Sequence, residues 1–312
     1  MSLWHRYAWV AYFAAFVGVL GHASTEFFAV LSGIVGAELS VWRFVLGGAG
    51  LIGVALAFPD SRDLITPLRT HGGRIVTVSL FGVIGGYLVF HWSLDFASVP
   101  QVATIVTAAP MFVGITNYLV NRQPFGLAKV VSGCCALVGI ALLITDGYLA
   151  NLAGSSKSLI GVLMALACAV TLSIYMVLIK SVVEVYGALR ITTLSIVIGA
   201  IGLWLVVGFV FGIWVRPARF NTMSNGAIGS LLATAIWNTT ITQFLWIGGL
   251  ATVPDIARGS YLFFLKPVIA APLAVAILDQ DLTAVQIAAI LLVTASVAAE
   301  FLVDHFRTKR FT

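Results

Sequence analysis

Residues 188–213 read ALRITTLSIVIGAIGLWLVVGFVFGI, with one charged side chain, Arg190, near the start. Apolar windows of about 18 residues or more recur in this way along the whole chain, which marks membrane-spanning helices rather than buried core helices. Composition agrees: 60% of the 312 residues are hydrophobic and 9% are charged, and mean hydropathy is +1.06. A water-soluble domain of this length needs far more charge to cover its surface. The expectation is an all-α integral membrane protein.

Ten spans are legible, at 8–32, 39–59, 74–95, 99–120, 126–147, 158–182, 188–213, 225–248, 255–278 and 283–304. At ~1.5 Å per residue each can cross a hydrocarbon core of ~30 Å. The longest connections are residues 59–73, 148–157 and 214–225, none long enough for a separate soluble domain. The first apolar run is too long for a signal-peptide core, lacks a small-residue cleavage site and is followed at once by another span.

The net charge of +5 is no nucleic-acid signal, because in a membrane protein basic residues gather in cytoplasmic loops. With the N-terminus inside, that side holds Arg6, Arg62, Arg69, Arg74, Arg122, Lys129, Lys180, Arg190, Arg258, Arg307, Lys309 and Arg310. The outer side holds Arg43, Lys157, Arg216 and Arg219, and Lys266 falls mid-span. The bias places both termini in the cytoplasm, and the expected location is the inner (plasma) membrane. Cys134, Cys135 and Cys168 lie in apolar runs with no C-x-x-C spacing, as packing residues do.

An internal repeat organises the chain. Ala97–Ala103 reads ASVPQVA and Ala251–Ala257 reads ATVPDIA; further on, Pro110 in TAAPMFVGITNYLVNRQPF matches Pro267 in FLKPVIAAPLAVAILDQDL. About five spans fall in each half, 1–150 and 151–312. An odd number inverts the second copy, the plan of many secondary transporters that bind substrate near the midplane.

The segments DFASVPQVATIVTAAPMFVGITNYL and GLAKVVSGCCALVGIALLIT in the first half, and LATVPDIARGSYLFFLKPVIAAPLAVAILDQDLTAVQIAAILLVTASVAAE in the second, resemble EamA domains of the drug/metabolite transporter superfamily. Weaker likeness in TLSIYMVLIK and VWRFVLGGAG extends the resemblance over nearly the whole chain. It implies a ten-helix carrier of small metabolites, with export the commoner direction. In that family a glycine-glutamate turn follows the proline by about a dozen residues. Here NRQPF and LDQDLT put Gln123 and Gln280 at the glutamate positions.

Polar side chains at membrane depth cost about 2.5–3.5 kcal/mol when charged, so they face a cavity or a partner. Lys266 is the first candidate: its repeat partner is Ala109, and it could receive a substrate carboxylate or phosphate or sit in an ion pair. Glu26 and His22 are four apart beside Thr25, suited to a substrate ammonium or a coupled proton, or to each other or Lys266. The third span carries Tyr87 and His91 as cavity candidates, with Trp92 and Asp95 as interfacial residues. The eighth, AIWNTTITQFLW, places Trp237, Asn238 and Thr239 near mid-depth, with Gln243 one turn further along; Tyr175 and Tyr261 are weaker candidates of the same kind. Pro110 and Pro267 read as hinges or static bends, as does Pro272.

No phosphate loop, H-E-x-x-H motif or nucleophile spacing is present, so no enzyme, metal or cofactor is expected. The reading is a secondary carrier, monomer or homodimer, in the lipid bilayer. It moves an amphipathic or zwitterionic small-molecule substrate, an amino acid or derivative, by alternating access, with protons a candidate coupling ion. The alternatives are uptake of a vitamin-like or other aromatic metabolite, a channel, and a membrane-embedded enzyme.

Overall fold

The computed structural model describes residues 7–34, 36–93, 96, 97, 102, 105–145, 156–278 and 282–308, and every regular segment among them is helical. In chain order these are α1 (Ala8–Ala23), α2 (Thr25–Ser32), α3 (Gly36–Ala57), α4 (Ile65–Ser79) and α5 (Gly86–Ser93). Then come α6 (Ala109–Asn121), α7 (Leu127–Thr145), α8 (Ser156–Tyr186) and α9 (Ala188–Phe211). The last are α10 (Asn225–Ala235), α11 (Thr242–Thr252), α12 (Ile256–Ser260), α13 (Leu265–Leu278) and α14 (Ala284–Thr308).

Among the described residues, four helices are long and apolar enough to cross a membrane by themselves: Gly36–Ala57, Ile65–Phe90, Leu159–Tyr186 and Ala188–Phe211. Large apolar side chains face outward, Phe209 and Leu127 at more than three-quarters exposure. Water does not tolerate such a surface; hydrocarbon does. The protein is an all-α membrane protein.

Two compact units divide the chain, one of residues 1–92 and 174–254, the other of 93–173 and 255–312. In the first, Val41, Phe44 and Leu51 of α3 pack with Ile196 and Leu203 of α9 and with Val83. In the second, Ala136 and Ile140 of α7 pack with Tyr261, Phe264, and Val293 and Val297 of α14. Each unit draws on both sequence halves.

Several edges differ from the sequence reading for physical reasons. The polar stretch before the third span turns helical at Ile65, where Asp63 Oδ1 accepts from the backbone N–H of Ile65 and Thr66, an N-terminal cap. That hydrogen bonding holds the exposed Asp63 carboxyl below its usual range, the Thr66 backbone N–H first among the causes. α4 then kinks at His71 (φ −128°, ψ 23°). The first span breaks at Ser24 between α1 and α2. Pro110 does not interrupt a helix: it is the second residue of α6, where its missing N–H is one of the unpaired first-turn groups anyway. Pro267 is likewise the third residue of α13, after a 3-10 turn at Tyr261–Phe264, and Pro272 is the one inside that helix. Between α8 and α9 the chain reverses on Gly187 alone, at φ 88°, a backbone conformation that favours glycine.

Candidate functional site

Two membrane helices in the first unit are interrupted by π turns. Leu80–Gly85 joins α4 to α5, and Ile236–Ile241 joins α10 to α11. A π turn inserts one residue into the i→i−4 ladder, so carbonyls lose their usual partner and side chains are re-aimed; such bulges concentrate at functional sites.

The second turn, IWNTTI, restores those bonds with its own hydroxyls. Thr239 Oγ1 donates to the Thr234 carbonyl at 3.2 Å and Thr240 Oγ1 is 3.3 Å from the Ala235 carbonyl. Thr240 Oγ1 also reaches the Gly47 carbonyl of α3 at 2.8 Å. Arg43 of α3, 5% exposed, completes the arrangement. Its Nε donates to Thr239 Oγ1 at 3.0 Å and its Nη2 to the Asn238 carbonyl at 3.2 Å. The guanidinium lies 5.4 Å from the Phe44 ring and 5.8 Å from the Tyr87 ring, within cation–π range.

The break at Ser24 gives the polar cluster its other wall. Trp237 Nε1 and Asn238 Nδ2 each donate to Ser24 Oγ at 3.0 Å, and Asn238 Nδ2 also donates to the Gly21 carbonyl. Asn238 is fully buried, and its Oδ1 is a buried acceptor with no hydrogen-bond partner among the described residues. Thr242 Oγ1 is in the same state one turn on. Gln243 Nε2 donates to the Tyr87 hydroxyl at 2.7 Å, and His22 meets Trp246 edge to face at 5.8 Å between ring centroids.

Of the residues singled out from sequence, Tyr87, Trp237, Asn238 and Gln243 thus join one connected group, with His22 on neighbouring α1. Tyr175 is buried and committed elsewhere in the unit, its hydroxyl 2.7 Å from Ser195 Oγ. Tyr261 and Lys266 belong to the second unit. The Tyr261 hydroxyl donates to the Lys129 carbonyl, and Lys266 is half-buried in the first turn of α13. The side chains of Glu26 and His91 lie outside the described residues, as do Asp95 and Gln280; Trp92 is exposed. The shared face for His22 and Glu26 is interrupted, because the helix breaks at Ser24 between them.

Sequence reasoning missed Arg43 and Ser24 as members of this cluster. Arg43 reads as an outer-loop charge because it stands five residues into its expected span. The structure starts α3 at Gly36 and buries it. The available signal was the aromatic setting VWRF, which suits a guanidinium stacked under rings.

A guanidinium, amides and hydroxyls kept in contact at a broken helix are features from which membrane transporters build their sites. The chain belongs to the EamA-like transporter family, whose profile matches residues 7–145 and again 159–300. It is 24% identical over 237 residues to an uncharacterized transporter of Clostridium kluyveri, covering 74% of each chain. It is 24% identical over 230 residues to the uncharacterized transporter YyaM of Bacillus subtilis, covering 74% of this chain and 73% of that one. A solved crystal structure shares the fold with a TM-score of 0.79 at 18% identity, over 94% of this chain and 96% of the other.

Proposed function

We propose that the protein is a secondary carrier. It moves a small zwitterionic or amphipathic metabolite, an amino acid or derivative, across the inner membrane by alternating access between two inverted five-helix repeats. One observation carries this reading. The two π turns stand 156 residues apart, at Leu80–Gly85 and Ile236–Ile241, so equivalent helices of the two halves are broken at equivalent places. Discontinuous helices at repeat-related positions are where secondary transporters build their sites. The two separate family matches, one per half, support the same division.

The substrate-contacting set is Trp237, Asn238, Tyr87, Gln243 and His22. The orphan acceptor Asn238 Oδ1 suits an ammonium donor, and Trp237 an apolar or aromatic portion. Lys266 on α13 is the separate candidate for a substrate carboxylate. The outward direction follows the family resemblance, and cytoplasmic termini follow the distribution of Lys and Arg.

Flux into liposomes across an amino-acid panel, with and without a proton gradient, tests the reading. Saturable flux with counter-exchange of an unaltered solute is expected, reduced about tenfold by Asn238→Leu if one hydrogen bond of ~1.4 kcal/mol is lost. Chemically altered solute would make the protein an enzyme, and flux that neither saturates nor exchanges would make it a channel.

A further inference from the structure

The two π turns are seated alike but held differently. Gly47 and Gly50 of α3 lie under the second turn: a Cβ on Gly47 would fall 2.6 Å from Thr239 Cβ, and one on Gly50 2.4 Å from Thr240 Oγ1. Gly199 and Gly202 of α9 lie under the first: a Cβ on Gly199 would fall 2.4 Å from Val83 Cβ, and one on Gly202 2.5 Å from Ile84 Cδ1. The glycine pairs are themselves 152 residues apart. Each half therefore supplies the seat for the other half's turn.

The fastenings break this equivalence. At the second turn Arg43, Thr239 and Thr240 make side-chain hydrogen bonds to the turn or its seat. The equivalent positions at the first turn and its seat are Ser195 for Arg43, Val83 for Thr239 and Ile84 for Thr240. The first turn, LFGVIG, has no polar atom in any side chain. Ser195 turns its hydroxyl to Tyr175, whose ring packs on Gly82. Apolar contact resists separation but is non-directional, so it does not fix a helical register as oriented hydrogen bonds do.

We infer that the two turns are unequal hinges. Arg43 pins the turn at Ile236–Ile241, and the turn at Leu80–Gly85 re-registers on its glycine seat during the transport cycle, carrying Tyr87 with it. The pinned turn holds the substrate-contacting Trp237 and Asn238 still, and the apolar turn supplies the motion. This rests on the alternating-access reading above.

Hydrogen–deuterium exchange on the full chain in lipid nanodiscs tests it without depending on transport. In the wild type, amides over residues 80–85 should exchange about tenfold faster than those over 236–241. Arg43→Gln should raise exchange at 236–241 by about tenfold, the loss of charge-assisted bonds worth ~1.4 kcal/mol or more, and leave 80–85 unchanged. Thr239→Val, which removes one of the two Arg43 bonds and the hydroxyl's own bond to the Thr234 carbonyl, should also raise exchange there and serves where Arg43→Gln does not fold. Equal exchange of the two turns in the wild type overturns the inference, as does unchanged exchange at 236–241 in a folded Arg43 or Thr239 variant. If the exchange asymmetry is found but the flux assay shows no carrier, the carrier reading fails and the unequal fastening stands.

Discussion

Gln243 donates a 2.7 Å hydrogen bond to the hydroxyl of Tyr87, 156 residues away, and each stands two residues beyond the π turn of its own helix. In the inverted-repeat plan proposed above these are equivalent positions, and equivalent positions that touch lie on the pseudo-twofold axis of such a plan. A tyrosine facing a glutamine there makes the axis chemically asymmetric. Gln243 is 1% exposed, so its amide depends on that partner. Tyr87→Phe should destabilise by about 1–3 kcal/mol, the cost of leaving a buried amide unsatisfied. Adding Gln243→Leu should recover part of the loss, since removing both partners together is nearly neutral. Thermal unfolding of the single and double variants in detergent measures the coupling; simple additivity would mean that the bond contributes nothing.

Gly21 tests how closely α1 approaches α11. A Cβ there would fall 1.7 Å from Thr242 Oγ1 and 2.8 Å from Thr242 Cβ, with no flexible side chain to yield. Gly21→Ala should cost about 1–3 kcal/mol through overpacking. Thr242→Ala in the same chain should return only part of it, because the Cβ contact remains. Gly53→Ala, which meets nothing within 4 Å, should match or exceed wild type, as expected from helix propensity. Equal stability of the Gly21 and Gly53 variants would show that the two helices can separate at no cost.

Asp255 does two jobs in the second unit. It pairs with Lys129, and its Oδ1 accepts from the Arg258 backbone N–H at 3.2 Å as the cap of α12. Asp255→Asn keeps a capping oxygen and removes the charge, while Asp255→Ala removes both. Stability should fall in that order, the last step by about 1 kcal/mol for the cap. Glu38→Ala breaks the more exposed pair with Arg219, 3.3 Å apart, and should cost between about 0 and 1 kcal/mol. A Glu38 variant less stable than Asp255→Ala would reverse the assignment of which pair holds structure.

The legible part of this fold is what membrane thickness and repetition dictate. Residues 188–211 are one helix because nothing in that stretch can stop one, and the anchors around Pro110 and Pro267 point to a duplication. Tyr87, Trp237, Asn238 and Gln243 were legible as polar groups at depth, which need partners, and the structure gives each of them one. The π turns were not: one inserted residue alters hydrogen-bond register without altering composition, so LFGVIG reads as ordinary apolar helix. The break at Ser24 was hidden for the same reason. Arg43 was hidden by its place near a span edge, where a charge is usually solvated.

Arg122 closes α6 in the left-handed region, at φ 56°, the single non-glycine residue with positive φ among those described. It stands where the family resemblance expects the glycine of a glycine-glutamate turn. A side chain in that conformation costs roughly 1–2 kcal/mol, and glycine removes the cost. Against this, a cation at a helix C-terminus contributes about 0.3–1 kcal/mol, which glycine forfeits. The strain exceeds the dipole gain, so Arg122→Gly should stabilise the protein by about 0.5–1 kcal/mol. Arg122→Ala keeps the strain and loses the charge, and should fall below wild type. The hydrogen bond from Asn117 Nδ2 to Gln123 Oε1, at 2.7 Å, ties the turn to α6 in every variant and keeps the comparison local. Thermal unfolding midpoints in the order glycine, arginine, alanine are expected. An alanine variant above wild type would mean that the left-handed conformation is not kept in the membrane.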